Sequence, residues 1–309
     1  MKGFGLDHLV CEVEQDLMPV EEIVRAAGRD EAYVQQVHNN GLRRIPVAHQ
    51  ASVAELIQDV LQRLTANVPD LHKRVCGVLL GHSLATTVPP DVPLLDESMQ
   101  GFHLQHVPKL AVSGQPCSVI HFVVQMAGAW LAAVPEGDIL VLGVDKAQNA
   151  EERVFFGSTM GDAAIAMLIT RHPARHRIMA CISQTYSLTF AGEKSPPEDI
   201  ARFRQENPHR IRMAVQQALA EAGIQLTDVS YIIPHTPYNL IWDVTAELLR
   251  FPRERILTDY LSETGHLNSN DVFVHFERAL REGKIKTGQI VVLVSPGFGG
   301  TRGCTVIRV

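Results

Sequence analysis

Five cysteines are spread along this 309-residue chain, and one of them stands where nucleophilic chemistry is feasible. Cys11, Cys76, Cys181 and Cys304 lie in apolar, strand-like runs, where a buried and inert thiol is the usual outcome. Cys117 instead follows the turn Ser113-Gly114-Gln115-Pro116 and opens the helical pattern CSVIHFVVQMAGAWLAAV. A thiol in a helix's first turn feels free N–H groups and the positive helix end, which favour the nucleophilic thiolate. A core cysteine at a helix start fits the same position, and both readings stand at this point.

A base is the second requirement. His235 follows the apolar run Val229–Ile233 and Pro234, at the end of a strand, where α/β proteins present working side chains. A solvated loop histidine is the plain alternative, and His82, at the end of the run Val75–Leu80, shows that the topology supplies such a residue anyway. Gly265-His266-Leu267-Asn268-Ser269-Asn270-Asp271 is dense in polar groups just before a helix. Asp271 there is either an orienting carboxylate or an ordinary helix cap. The stretch Pro296–Gly303 is Gly-rich but leads into a strand rather than a helix, so it is no dinucleotide fingerprint. Its backbone N–H groups could face a developing oxyanion, or it is a tight hairpin. Gly157–Asp162 reads as a turn ahead of the apolar run Ala163–Thr170. The pairs His103/His106 and His172/His176 lack further ligands at metal-site spacing, so no metal centre is expected.

The elements that must position these residues occur twice. Helical 51–74 leads into an apolar strand and His82; helical 207–228 leads into another and His235. The helix at Cys117 precedes the strand Ile139–Val144, and the helix at Asp271 precedes Ile290–Val294. His82 and His235 are 153 positions apart (235 − 82), and His121 and His275 are 154 apart (275 − 121). Helices alternating with short, wholly apolar strands predict an α/β sheet covered on both faces, and the long period predicts a duplicated domain. Residues 171–177 and 191–207 read as surface excursions between the halves.

Composition narrows the functional classes. Apolar residues make up 46% and charged residues 20%, an ordinary globular balance, and the net charge of −6 gives nucleic acid no basic face. No CxxC pair suggests zinc or disulfides, and no run of about 18 apolar residues suggests a membrane span. Asp7, Glu12, Glu14 and Asp16 near the start disfavour a secretory signal, so a soluble cytoplasmic protein is expected.

With these residues in view, the chain resembles the ketoacyl-ACP synthase III branch of the thiolase superfamily over nearly its whole length. QPCSVIHFVVQMA is similar to that family's nucleophile helix, and FFGSTMGDAAIAMLI to its FGDGAGA segment. YIIPHTPYN stands in the place of its H-Q-A-N motif, and ALREGKIKTGQIVVL with PGFGGTRGC resembles its C-terminal block. The resemblance implies an α/β, thiolase-like duplicated fold of five α-β-α-β-α layers. Half 1–172 would carry the nucleophile, and half 173–309 the catalytic His and Asp. It implies acylation of Cys117 and base catalysis by His235, oriented by Asp271. The Cys117 N–H and the Gly297–Gly300 turn, Phe298 and Gly299 in particular, would supply oxyanion donors.

Departures from the family pattern direct the functional expectation. Its Gly-Asn pair is replaced by Gly265-His266, and Gly265, His266 and Asp271 form a G-H-x-x-x-x-D pattern. That pattern is similar to a side branch of secondary metabolism that transfers acyl groups to alcohols or amines with a Cys, His and Asp triad. DEAYVQQVHNNGLRRI lacks the Trp and the first Arg with which the family grips coenzyme A, so a carrier-protein thioester is as open as an acyl-CoA donor. The expectation is an acyltransferase that needs no cofactor beyond its acyl-CoA or acyl-carrier donor, works on a small-molecule acceptor and pairs as a homodimer. An acceptor tunnel is expected near 82–87 and 94–105. Decarboxylative condensation with a malonyl thioester is the second reading, and a non-catalytic partner subunit the third.

Overall fold

The structure, a computed structural model, describes residues 3–13, 16–88, 93–171, 173–186 and 195–309. Nine strands form its main sheet: β1 (Phe4–Val13), β2 (Val75–Gly81), β3 (Lys109–Val112), β4 (Asp138–Asp145), β5 (Ala163–Arg171), β6 (His176–Thr185), β7 (Val229–Pro234), β8 (Ile290–Pro296) and β9 (Thr301–Arg308). Their spatial order is β7-β8-β9-β6-β1-β5-β4-β2-β3. The first five strands lie in the order third, second, fourth, fifth, first. The later strands repeat it, with an isolated parallel bridge from Ile232 to Ile256 standing where a third strand would be. β1 and β6 join the two arrays through an antiparallel contact, Phe4 opposite Ile178 and Leu6 opposite His176.

Alternation along the strands explains the layers. Val78 and Leu80 of β2 and Leu140 and Leu142 of β4 face a core shared with helix α2 (Val53–Asn67). Leu79 and Val141, pointing the other way, join helix α3 (Val119–Ala133) and helix α6 (Asp271–Arg281) in a central core. Val291 and Leu293 of β8 enter that same core, while Val292 and Val294 face helices α4 (Pro197–Ala222) and α5 (Leu240–Leu249). Buried on both faces, such strands must be apolar throughout, which is the pattern the sequence carries. The outcome is the expected five-layer α-β-α-β-α arrangement. Helix α1 (Glu31–Asn39) packs outside it with the ribbon Leu17–Pro19/Arg44–Pro46.

Local chemistry sets the ends. Ser52 and Glu55 form a reciprocal capping box at the start of α2, and Gly223 closes α4 with φ 68°. Two boundaries differ from expectation. Helix α4 begins at Pro197 and runs through Pro208, so most of the expected excursion 191–207 is helical; residues 187–194 lie outside the described residues. β5 and β6 extend to Arg171 and from His176, leaving only a short connection; His172 within it, one member of the His172/His176 pair, also lies outside the described residues. Among the described residues no helix is long and apolar enough to cross a membrane.

Candidate active site

Cys117 sits ahead of α3 rather than in its first turn, because Ser118 is the residue that precedes the helix proper. Its backbone takes φ 60°, in the left-handed region that a side chain with a Cβ rarely adopts. Strained turns of this kind push a nucleophile out of the regular helix and towards a cleft. The Gly-rich turn after β8 packs against the same place: Thr301 Oγ1 donates to Pro116 O at 3.1 Å. A Cβ on Gly297 would lie 1.8 Å from that oxygen, so only glycine fits.

His235 lies one residue past the end of β7, as expected. Its N–H donates to Val294 O at 3.0 Å, and its carbonyl accepts from Trp242 Nε1 at 3.1 Å. His266 arrives from the opposite side, after Gly265. Gly265 has φ 58° and leaves a Cβ only 2.3 Å from Ile45 Cγ2. The His266 backbone pairs with Thr159 and Gly161 at 3.1 and 2.9 Å, which ties it to the Gly157–Asp162 turn. That turn is anchored by a buried ion pair in which Arg153 donates to both oxygens of Asp162 at 2.7 Å. Asp162 also accepts from the N–H groups of Ala48 and Ala147.

Cys117 Sγ and one ring nitrogen each of His235 and His266 lie within 4.8 Å of one another, all three side chains buried. The rings of His235 and His266 are nearly perpendicular, with centroids 5.1 Å apart. Asp271 does not hold His235. Its Oδ2 meets His266 Nδ1 at 2.5 Å and the Thr236 N–H at 2.8 Å, and its Oδ1 accepts from the Leu267 N–H at 2.5 Å. The residue expected to orient His235 therefore orients its neighbour: the turn at 268–270, with Asn268 at φ 54°, carries the carboxylate back over the segment it follows.

Charge separates the two histidines. Burial alone would lower His266, but the Asp271 carboxylate overrides it, helped by Cys117, and lifts the imidazole to about 10. Burial would raise Asp271, and the His266 charge holds it below the usual carboxylate range instead. His235 is pushed well below the ordinary histidine value, first by burial and then by the charge on His266. One ring is thus an imidazolium at neutral pH and the other stays neutral. Cys117, His235 and His266 are also close enough to share a metal ion. An imidazolium with Nδ1 given to Asp271 offers a proton rather than a lone pair, which suits an anionic sulfur better than a cation.

The trio opens into a cavity of about 300 Å³ lined by Gln36, Asn40, Phe155, Phe203, Tyr238 and Phe298, among others. Phe155 meets His266 edge-on at 5.7 Å, and Phe298 meets Phe155 edge-on at 5.8 Å and packs tilted against Phe156 at 5.2 Å. This aromatic wall was not foreseen, and nothing but the FF pair itself could have marked it. This cavity uses no residue of 82–87 or 94–105, where the acceptor tunnel is expected; helices α1, α4 and α5 contribute its walls. Two expected oxyanion donors are engaged elsewhere, the Cys117 N–H with Ser83 Oγ at 3.1 Å and the Gly297 N–H with Thr301 O at 2.8 Å. Phe298 lines the cavity; Gly299, at φ 70°, shapes the turn outside the lining.

Comparison with known proteins matches this picture. Residues 219–309 fit the family described as 3-oxoacyl-[acyl-carrier-protein] synthase III C terminal. The beta-ketoacyl-[acyl-carrier-protein] synthase III of Aquifex aeolicus is 25% identical over 205 residues, which span 62% of this chain and 64% of that protein. That of Methylococcus capsulatus is 23% identical over 295 residues, spanning 88% and 89%. Among solved structures, ChlB3, described as an acyltransferase, superposes with a TM-score of 0.85 at 20% identity over 99% of this chain and 98% of its own. The 3-oxoacyl-(acyl carrier protein) synthase III of Pseudomonas aeruginosa gives 0.83 at 18% identity, again over 99% and 98%. With its twice-used strand order and its cysteine before α3, the chain shares the fold of these proteins, and its C-terminal region matches the 3-oxoacyl-[acyl-carrier-protein] synthase III family.

Proposed function

We propose that the protein is an acyltransferase that moves an acyl group from a CoA or carrier-protein thioester, through Cys117, to an alcohol or amine. The observation that carries this reading is the 2.5 Å contact between His266 and Asp271 beside the thiol. Cys117 and His266 work as a thiolate–imidazolium pair. The sulfur attacks the thioester carbonyl, and the departing thiolate takes the His266 proton, leaving an acyl-enzyme and a neutral imidazole. That imidazole then accepts the proton of the acceptor O–H or N–H as the heteroatom attacks the acyl carbon, and Cys117 leaves with the electron pair, restoring the starting state. Asp271 stays ionised and fixes the His266 tautomer throughout. Neutral His235 donates a hydrogen bond to the carbonyl oxygen in both half-reactions, together with the N–H group of Phe298.

A protein described as an acyltransferase shares the fold, the matching synthases are described by acyl-carrier substrates, and OleA of Xanthomonas campestris, of similar fold, is described with bound lauroyl-CoA; donors of both kinds are proposed on that basis. A homodimer and a division of the chain at 172/173 complete the proposal.

Mass spectrometry after incubation with acyl-CoA and acyl-carrier thioesters tests it. Acylation of Cys117, absent in C117A, followed by discharge to an added alcohol or amine is the expected result. Release of CO₂ from malonyl thioester at the rate of acylation would replace transfer with condensation, and absence of any adduct would leave a partner subunit.

A further inference from the structure

We propose that Ser83 and Asp145 are positioning residues for the nucleophile: Ser83 holds the backbone of Cys117, and Asp145 holds Ser83. Neither side chain lines the cavity, so both act through Cys117 rather than on a substrate.

The left-handed turn at Cys117 needs an external hold, since the helix begins only after it. Ser83 supplies one, its Oγ accepting the Cys117 N–H at 3.1 Å from a loop 34 residues away in sequence. Ser83 is fixed in turn, because its own N–H and that of Leu84 both donate to Asp145 Oδ1, at 2.7 and 2.9 Å. Asp145 ends β4 and is wholly buried, and its other oxygen accepts from Ser269 Oγ at 3.4 Å. Ser269 belongs to the turn between His266 and Asp271. One carboxylate therefore fastens the loop that supports the thiol and the turn that carries the base.

β4 approaches that turn closely enough that a Cβ on Gly143 would lie 2.3 Å from Asn270 Oδ1, so the junction has no slack. A buried carboxylate is costly to keep, and burial raises Asp145 to about 7 despite its N–H partners. Among the described residues its hydrogen-bond partners are the amides of Ser83 and Leu84 and the hydroxyls of Ser83 and Ser269, all of them belonging to the two turns that flank the thiol. Releasing the Cys117 N–H frees the peptide to rotate, and the sulfur moves relative to His266. A displacement of about 1 Å between reacting groups costs on the order of 100-fold in rate.

The inference rests on Cys117 being the nucleophile, but its test needs no acyl donor. Alkylation of Cys117 by iodoacetamide, located by peptide mass spectrometry, is followed against pH in the wild type, S83A, S83T and D145N, with thermal unfolding alongside. S83A is expected to react roughly 10- to 100-fold more slowly at pH 7, with its profile moved to higher pH and its unfolding temperature retained. S83T, which keeps the hydroxyl, and D145N, whose amide oxygen still accepts both N–H groups, are expected to react like the wild type. Wild-type rate and profile in S83A, failure of S83T to restore them, or a wild-type Cys117 inert to iodoacetamide would overturn the inference. A Cys117 that alkylates as expected yet takes no acyl group from any thioester would sink the proposed function alone.

Discussion

Asp271 meets His266 at 2.5 Å and, among the described residues, no carboxylate hydrogen-bonds His235, although a nitrogen of each ring lies within 4.8 Å of Cys117 Sγ. Two neighbouring imidazoles thereby differ in charge at neutral pH: one carries the proton, and the other stays neutral. The division follows from a single contact, so altering that contact has sharp consequences.

Replacing Asp271 with Asn preserves shape and removes charge. Burial then governs His266, whose basicity falls, and the acceptor loses its proton sink. Transfer to an alcohol or amine is expected to drop by roughly 10²- to 10⁴-fold, the usual worth of general base catalysis. Steady-state kinetics with saturating acyl donor measures it; unchanged turnover would reduce Asp271 to a fastener of Thr236 and Leu267.

The same pair shapes the dependence of stability on pH. His266 is raised in the folded protein, to about 10 from 6.5, so its contribution is complete below 6.5 and is lost as pH rises through 10. Asp271 is lowered, so its contribution is present above 3.8 and is lost as pH falls through its native value. Unfolding temperature is therefore expected to decline between pH 6.5 and 10 more steeply in the wild type than in D271N, where burial alone keeps His266 neutral. Parallel curves for the two proteins in differential scanning fluorimetry would refute the assigned charge states.

Much of the fold was legible because its strands are buried on both faces. Runs such as Val75–Leu80 and Ile290–Val294 admit few alternatives, and their repetition with matched histidines exposes the duplication. Cys117 and His235 were legible as ends of elements. The partner of Asp271 was not: it lies five positions from His266, but only the left-handed conformations at Gly265 and Asn268 decide which imidazole it faces. Pro208 misled in another way. A proline usually breaks a helix, yet α4 continues through it to bring Phe203 and Arg204 to the cavity. Ser83 and Asp145 carried no signal, since their importance lies in backbone contacts across 34 and 62 residues.

Support from below the site is testable through Asp162. Its buried pair with Arg153 braces the turn whose Gly161 N–H donates to His266 O at 2.9 Å. Asp162→Ala strands a guanidinium in the interior, and a loss of about 3–5 kcal/mol in chemical denaturation is expected. A loss below about 1 kcal/mol, the range of an exposed pair, would show that the pair does not brace the turn.

Gly297 and Gly299 make a matched contrast within one turn. A methyl group at Gly297 collides with Pro116 O beside the nucleophile, whereas nothing lies within 4 Å of a Cβ at Gly299. Gly297→Ala is expected to abolish acylation of Cys117, and Gly299→Ala to cost only the strain of its positive φ, about 1–3 kcal/mol of stability. Equal acylation by the two variants would separate the turn from the thiol.

The aromatic wall sets the last expectation. Phe155 touches both His266 and Phe298, and all three line the cavity of about 300 Å³. Phe155→Leu keeps the surface apolar while removing ring volume next to His266 and the proposed acyl site. The variant is expected to accept bulkier acyl groups, with kcat/KM for the branched or aryl members of a thioester panel rising several-fold relative to acetyl, in line with the roughly 1–3 kcal/mol that a pocket contact controls. If relative rates across the panel stay fixed, acyl selection lies elsewhere in the cavity, with Tyr238 and Phe203 the next side chains to alter.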